Sequence, residues 1–346
     1  NENLRLVKRF GLQNREVNEN YPDWLWFTDK KYQTFSYSPT LQYNSKPADW
    51  MLGIDFSEDE LKSSNNTEYE RETTGFFTST GLELSDQWVF NGNFRVEKVK
   101  NSGDFQAKKD EWAAGLGIIR GFGSGNRVFS SIRRFYKYPA MDEYTLANGI
   151  LMPENGYEAE LGLDWVVNQI VLEGRIFRQW MNDEIILDPN AGGLFGQNIN
   201  LPKNRRVGLD LSVNWQMSES IGSGLSYEYV RAEFEEGDYS GSKVPLVSEG
   251  LLRLFLELTP VDSFFLSLGA SYVGESFRGS DFSNSEAKLE DYWLFDLEVN
   301  YNLSENATLF GGVDNIFDKE YLSTAFGTGL YPGEGRNVRA GLRFFF

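Results

Sequence analysis

Apolar and polar positions alternate to the end of the chain. Val338, Ala340, Leu342, Phe344 and Phe346 share one parity, while Asn337, Arg339, Gly341 and Arg343 share the other with Phe345. Successive side chains of a strand point to opposite faces. The pattern therefore predicts a strand over 335–346 with one wholly apolar face and one mostly polar face. The same period recurs upstream. In 204–217, Val207, Leu209, Leu211, Val213, Trp215 and Met217 oppose Arg206, Gly208, Asp210, Ser212, Asn214 and Gln216. In 292–304, Trp293, Phe295, Leu297, Val299, Tyr301 and Leu303 oppose Tyr292, Leu294, Asp296, Glu298, Asn300 and Asn302. In 156–168, Tyr157, Ala159, Leu161, Leu163, Trp165 and Val167 oppose Glu158, Glu160, Gly162, Asp164, Val166 and Asn168.

Patterning of this kind predicts about sixteen strands and no amphipathic helix longer than two turns. The expected spans are 4–14, 31–44, 48–57, 69–84, 87–99, 110–122, 126–136, 156–168, 170–181, 204–217, 221–234, 249–259, 263–275, 292–304, 306–317 and 335–346. Many exceed the five or six residues usual for soluble strands, and match the roughly 9–11 residues of a tilted membrane strand. Connections alternate between short turns, such as Asn168-Gln169 and Ser304-Glu305, and long loops at 58–68, 100–109, 137–155, 182–203, 235–248, 276–291 and 318–334. Outer-membrane barrels pair short periplasmic turns with long outer loops. With a periplasmic C-terminus, one orientation satisfies every connection. Trp50, Trp88, Trp165 and Trp215 then lie near the short-turn ends and Trp112, Trp180 and Trp293 near the long-loop ends, as two interfacial girdles would.

Composition narrows the chemistry. The 346 residues carry a net charge of −18, which disfavours a nucleic-acid partner. No run of about 18 apolar residues predicts a membrane helix, and the mean hydropathy of −0.44 reflects cancellation between alternating faces. Cysteine and histidine are both absent. That removes disulfides, thiolate nucleophiles, Cys/His metal centres and any Ser-His-Asp triad, so no enzyme and no resident cofactor are expected. Calcium needs only oxygen ligands and is entertained at Glu235-Glu236-Asp238 or Asp281. Gly121-Phe122-Gly123-Ser124-Gly125 has neither the helix nor the Lys of a phosphate loop and reads as a tight turn. No linker divides the chain, so residues 1–346 are read as one domain. Asn1 is not preceded by Met, and no signal peptide is expected within the sequence.

Several motifs carry a resemblance. Asn315-Ile316-Phe317-Asp318-Lys319-Glu320-Tyr321 is followed by Pro332-Gly333-Glu334-Gly335-Arg336 and the aromatic-terminated strand. Arg133-Arg134-Phe135 is followed by Pro139 and Glu143, and Asn148 to Glu154 leads into Tyr157 to Gly162. Their order and spacing resemble TonB-dependent outer-membrane receptors. The resemblance implies an all-β fold: an antiparallel transmembrane β-barrel with about 16 strands present of a 22-stranded barrel, and no plug domain. It implies a C-terminal fragment of a longer receptor, in which TonB acts only through the missing N-terminal part.

The expected function is TonB-energised uptake of a scarce solute such as a ferric siderophore. A passive 16-stranded diffusion porin and a structural or adhesive outer-membrane barrel stand as alternatives. Parity assigns Glu158, Glu160, Asp164, Glu173, Arg175, Arg206, Asp210, Asp296, Glu298, Arg339 and Arg343 to the lumen wall. Trp180, Asp183, Tyr239, Phe282 and Tyr331 are candidate loop contacts to substrate. The resemblance makes Phe344 and Phe346 an assembly signal read by the barrel-assembly machinery. Outer-membrane lipid and lipopolysaccharide are the other expected partners, and the chain is expected to be a monomer.

Overall fold

The computed structural model describes residues 3–21, 26–64, 67–103, 107–147, 149–192, 196–326 and 329–345. Its elements in chain order are β1 (Leu4–Tyr21), β2 (Trp26–Ser45), β3 (Ala48–Ser63), β4 (Glu68–Ser85), β5 (Trp88–Gly103), β6 (Ala107–Gly123) and β7 (Asn126–Lys137). A 3-10 turn, Glu143–Leu146, precedes β8 (Glu154–Val167), β9 (Ile170–Asn182), β10 (Ile185–Asp188) and β11 (Gln197–Asn200). Then come β12 (Asn204–Ser218), β13 (Ile221–Phe234), β14 (Gly250–Val261), β15 (Phe264–Val273), β16 (Tyr292–Ser304), β17 (Ala307–Asp314), β18 (Leu322–Phe326), β19 (Gly329–Pro332) and β20 (Asn337–Phe344).

Sixteen strands form one sheet in the order β1 to β9, β12 to β17, β20, and β10–β11 and β18–β19 are separate two-stranded hairpins. Each of the sixteen expected spans corresponds to one strand of the sheet. Among the described residues no helix is long and apolar enough to cross a membrane. Tight turns use the left-handed region where expected. Ser124 sits at φ 52 between Gly123 and Gly125, both at φ 82, and Asn168 sits at φ 54. Asn and Gly tolerate that region better than β-branched residues.

The strand ends depart from expectation. The 4–14 span extends to Tyr21, and much of the loops expected at 58–68 and 100–109 is strand. These extensions alternate among charged residues rather than between apolar and polar ones: Glu60↔Glu70, Asp59↔Arg71 and Lys100↔Glu72 are ladder partners. A search for an apolar face passes over a strand in which charged residues stand on both faces. The loops expected at 182–203 and 318–334 contain the β10–β11 and β18–β19 hairpins, too short to show a period.

The chain divides into two compact units: residues 1–120, 130–159 and 180–202, and residues 121–129, 160–179 and 203–346. In the first unit, cross-strand partners line up one apolar face. Tyr43↔Trp50, Leu41↔Leu52, Ile54↔Phe76, Phe76↔Val96 and Val96↔Trp112 join β2 through β6. In the second, Leu211↔Tyr227, Tyr227↔Leu252, Leu252↔Tyr272 and Tyr272↔Trp293 do the same from β12 to β16. These faces are largely uncovered: Leu161, Trp215, Leu268 and Leu303 are 49, 44, 40 and 55% exposed. The residues fully buried in the protein lie elsewhere, among them Leu61, Phe234 and Ala325.

Candidate functional site

The opposite face of each unit is a wall of paired charges. In the first unit Arg95 binds Asp55 at 2.5 Å and Glu97 at 3.0 Å, while the Tyr136 hydroxyl donates to Glu97 at 2.5 Å. Asp55 also accepts from the Ser38 hydroxyl, and Asp59 accepts from Thr34 at 2.7 Å. In the second unit Arg175 bridges strands on either side of its own, reaching Glu160 at 3.3 Å and Asp210 at 2.6 Å. Arg127 pairs with Asp164 at 2.5 Å, and Arg339 pairs with Asp314. Half-solvated pairs of this kind contribute little each, but a face that bears several of them is wettable.

A repeated device organises these walls. Polar-face phenylalanines lie over glycines of neighbouring strands: an ideal Cβ on Gly53 would stand 2.4 Å from the Phe77 ring, on Gly162 2.3 Å from Phe129, on Gly208 2.3 Å from Phe177, and on Gly341 2.5 Å from Phe310. An arginine covers each ring in turn, with Arg95, Arg127, Arg175 and Arg343 between 4.8 and 5.9 Å from the centroids of Phe77, Phe129, Phe177 and Phe310. Cation–π contact and ring-on-glycine packing thus keep large aromatics on a face that is otherwise charged. Sequence reasoning missed this arrangement. Its one local trace is the Arg-x-Phe spacing of Arg127-Val128-Phe129 and Arg175-Ile176-Phe177; the glycine partner becomes visible only with the register.

The parity-assigned wall residues fall as follows. Glu160, Asp164, Arg175, Asp210 and Arg339 are in the pairs above. Glu158 is buried and meets Arg133 at 2.5 Å. Asp296 accepts the Asn315 backbone N–H at 2.9 Å, and Glu298 accepts from Asn300 at 3.1 Å. Arg343 lies over Phe310. Glu173 is exposed on β9 and Arg206 lies in β12.

The loop candidates occupy distinct settings. Tyr239 and Phe282 come together with Phe234, with ring centroids 5.3 to 6.2 Å apart, and Phe282 is buried there. Asn284 fastens that cluster by bonding the Lys243 N–H and carbonyl at 2.6 and 3.0 Å. Tyr331, on β19, meets Phe326 edge-on and stays exposed. Trp180 is near the end of β9, and Asp183 follows that strand in the left-handed region at φ 57. Burial raises the Asp183 carboxyl above its usual range, opposed by Lys109.

The acidic loop residues are engaged by the protein itself. Asp281 accepts the Ser285 and Glu286 N–H groups at 2.9 and 3.0 Å. Lys203 lies 3.5 Å from Glu235 and 3.6 Å from Glu236. Among the described residues one carboxylate trio, Glu60, Glu68 and Glu70, has metal-like spacing, and the Lys62 ammonium pairs with its first two members.

The motif residues act as fasteners. Asn315 is buried; its side chain donates to the Lys319 and Glu334 carbonyls at 3.0 and 3.2 Å and accepts the Lys319 N–H at 2.8 Å. Asp318 accepts the Arg336 N–H at 2.8 Å. Upstream, the Pro139 carbonyl accepts from Arg71 at 2.7 Å, and Lys137 holds Glu154 at 3.3 Å. Phe344 ends β20 opposite Ala307. Phe346 and Asn148 lie outside the described residues.

Comparison with known proteins agrees with this geometry. The catecholate siderophore receptor Fiu of Escherichia coli (strain UTI89 / UPEC) is 27% identical over 193 residues, covering 53% of this chain and 25% of that protein. The metal-pseudopaline receptor CntO of Pseudomonas aeruginosa (strain UCBPP-PA14) is 31% identical over 195 residues, covering 54% of this chain and 27% of that one. The ferric yersiniabactin uptake receptor FyuA from Yersinia pestis superimposes with a TM-score of 0.78 at 17% identity, over 99% of this chain and 59% of its own. The chain thus spans about a quarter of the length of these curated relatives. Residues 3–316 match the family described as TonB dependent receptor-like, beta-barrel. The chain belongs to the β-barrel family of TonB-dependent receptors, proteins of the Gram-negative outer membrane.

Proposed function

We propose that this chain forms barrel wall and outer loops of a receptor that imports a ferric siderophore, or a similar metal chelate, with energy from TonB. The observation that carries the proposal is, in each unit, the pairing of a lipid-ready apolar face with a polar face that bears Arg–carboxylate pairs, in a family whose relatives named above are siderophore and metal-pseudopaline receptors. The apolar face seats the strands in the bilayer. The charged wall keeps water along the lumen, so a hydrated chelate meets no apolar barrier there. Capture falls to the outer loops, with Trp180, Asp183, Tyr239, Phe282 and Tyr331 as the residues to test first. The role is transport, not catalysis.

The same reading assigns partners. TonB acts through sequence outside this chain. Phe344 and Phe346 serve as the signal for the barrel-assembly machinery, lipopolysaccharide surrounds the apolar face, and the barrel works as a monomer. Calcium at Glu235-Glu236-Asp238 or Asp281 is retained only as a loop-stabilising option.

The test is uptake of radiolabelled ferric siderophores by iron-starved cells with and without the gene, in backgrounds with and without TonB. Uptake of at least one chelate lost in both deletions is the expected result. Uptake that survives loss of TonB, together with steady conductance of the purified protein in planar bilayers, would instead establish a diffusion pore, the reading favoured by sixteen strands in one sheet.

A further inference from the structure

In the second unit, Arg278, residues 287–292 and 319–322, and residues 332, 333 and 335 line an open cleft of about 680 Å³, within the size range of small-molecule sites. One wall is a pair of tyrosines, Tyr292 and Tyr321, with ring centroids 4.3 Å apart and planes tilted by 33°. Tyr321 is locked from behind: an ideal Cβ on Gly333 would sit 2.0 Å from its ring, so only glycine fits there. Leu289, itself buried, supplies an apolar patch. The wall is therefore preformed.

Arg278 lines this cleft and differs from the arginines of the ion pairs: Arg95, Arg127, Arg133, Arg134, Arg175 and Arg339 each hold a carboxylate. Among the described residues no carboxylate pairs with the Arg278 guanidinium; its Nε–H is shut off from solvent, so the terminal N–H groups are the ones that can meet a ligand in the cleft. The cleft's other charges are engaged elsewhere or stand at its rim. Lys288 is bound to Glu275 at 2.7 Å. Asp291 is hydrogen-bonded to Tyr272. Glu290 and Glu320 are exposed at the rim, as is Lys319.

We propose that this cleft binds a small aromatic carboxylate, with Arg278 as the group that recognises its charge. A planar guanidinium matches a carboxylate in shape and charge, and the tyrosine wall offers a flat surface to a ring. The acidic rim of Glu290, Asp291 and Glu320 penalises each further negative charge, which disfavours multiply charged anions such as phosphate relative to a monocarboxylate. The assignment goes beyond metal-chelate uptake and does not depend on it, because binding is read on this chain alone.

The test is isothermal titration of the chain folded in detergent micelles, with benzoate as the probe and benzamide as its neutral isostere. Saturable one-to-one benzoate binding is expected, with benzamide at least about tenfold weaker, the scale of one charge-assisted contact. Arg278→Gln should weaken benzoate by a similar factor, Arg278→Lys should keep part of the binding, and Lys46→Gln, beside the β2–β3 turn, should change nothing. If Arg278→Gln fails to fold, salt titration of the unmodified chain decides: benzoate must weaken with ionic strength and benzamide must not. No benzoate binding, equal binding of benzamide, salt-insensitive benzoate binding, or full binding by a folded Arg278→Gln chain would each overturn the proposal.

Discussion

The apolar face of the second unit and the loop cluster above β12 to β15 use the same kinds of side chain under opposite conditions. Along the strands, Trp215, Leu268 and Leu303 are 44, 40 and 55% exposed; in the loop cluster, Phe234 at the end of β13 and Phe282 are 2 and 6% exposed. A water-soluble protein would cover the former first. The difference shows which solvent each region was selected against. Lipid covers the strands, so the protein does not need to. The loops stand in water, so they must build a small core of their own, fixed by Asn284 and the Asp281 turn.

Substitutions in the two regions should therefore fail in different ways. The largest effect is expected for Phe282→Ala, which empties a site enclosed by protein and should cost about 3–5 kcal/mol of loop-cluster stability. Hydrogen exchange would show protection lost across 235–248 and 276–290, in any detergent, with the β1–β5 strands unchanged. Leu211→Arg should cost roughly 2–4 kcal/mol in lipid if it lies near the bilayer midplane, while Ser212→Arg, one residue on, should cost far less. Equal costs in urea titrations from liposomes would abolish the distinction between the faces. On the polar face, Gly208→Ala drives a methyl into Phe177 and should cost about 1–3 kcal/mol, the usual scale of overpacking, against almost nothing for Gly174→Ala on the apolar face, whose Cβ would meet Leu163 at an ordinary 3.8 Å.

The smallest expected effect is a pH dependence. Burial raises the folded-state pKa of Asp183 above its unfolded value. Its contribution is favourable while the carboxyl is protonated, below the unfolded pKa, and is lost as pH rises through the raised folded pKa. Asp183→Asn, which suits the left-handed backbone there, should remove that loss. Thermal melts of the variant should be flatter with pH across the mildly acidic range and higher at neutral pH.

The faces were legible in the sequence because a two-residue period survives whatever the register, and Leu211 and Asp210 declare their sides without knowledge of any partner. The strand extensions of the first unit were not legible, since Glu60, Glu70 and Arg71 alternate charge with charge. Nor were the roles of the loop aromatics. Tyr239 and Phe282 are separated by more than forty residues in the chain, and only the folded loops bring their rings to 5.3 Å. The phenylalanine–glycine pairs were half legible: Arg175-Ile176-Phe177 is visible, but the choice of Gly208 depends on which strand lies alongside.

The claim that lipid, not protein, covers the apolar face is open to one direct measurement. The chain has no cysteine, so each cysteine introduced singly at 209 to 214 would be the only thiol. In proteoliposomes, a water-soluble maleimide should label positions 210, 212 and 214 and spare 209, 211 and 213. Labelling without that two-residue period, or with the parity reversed, would contradict the account.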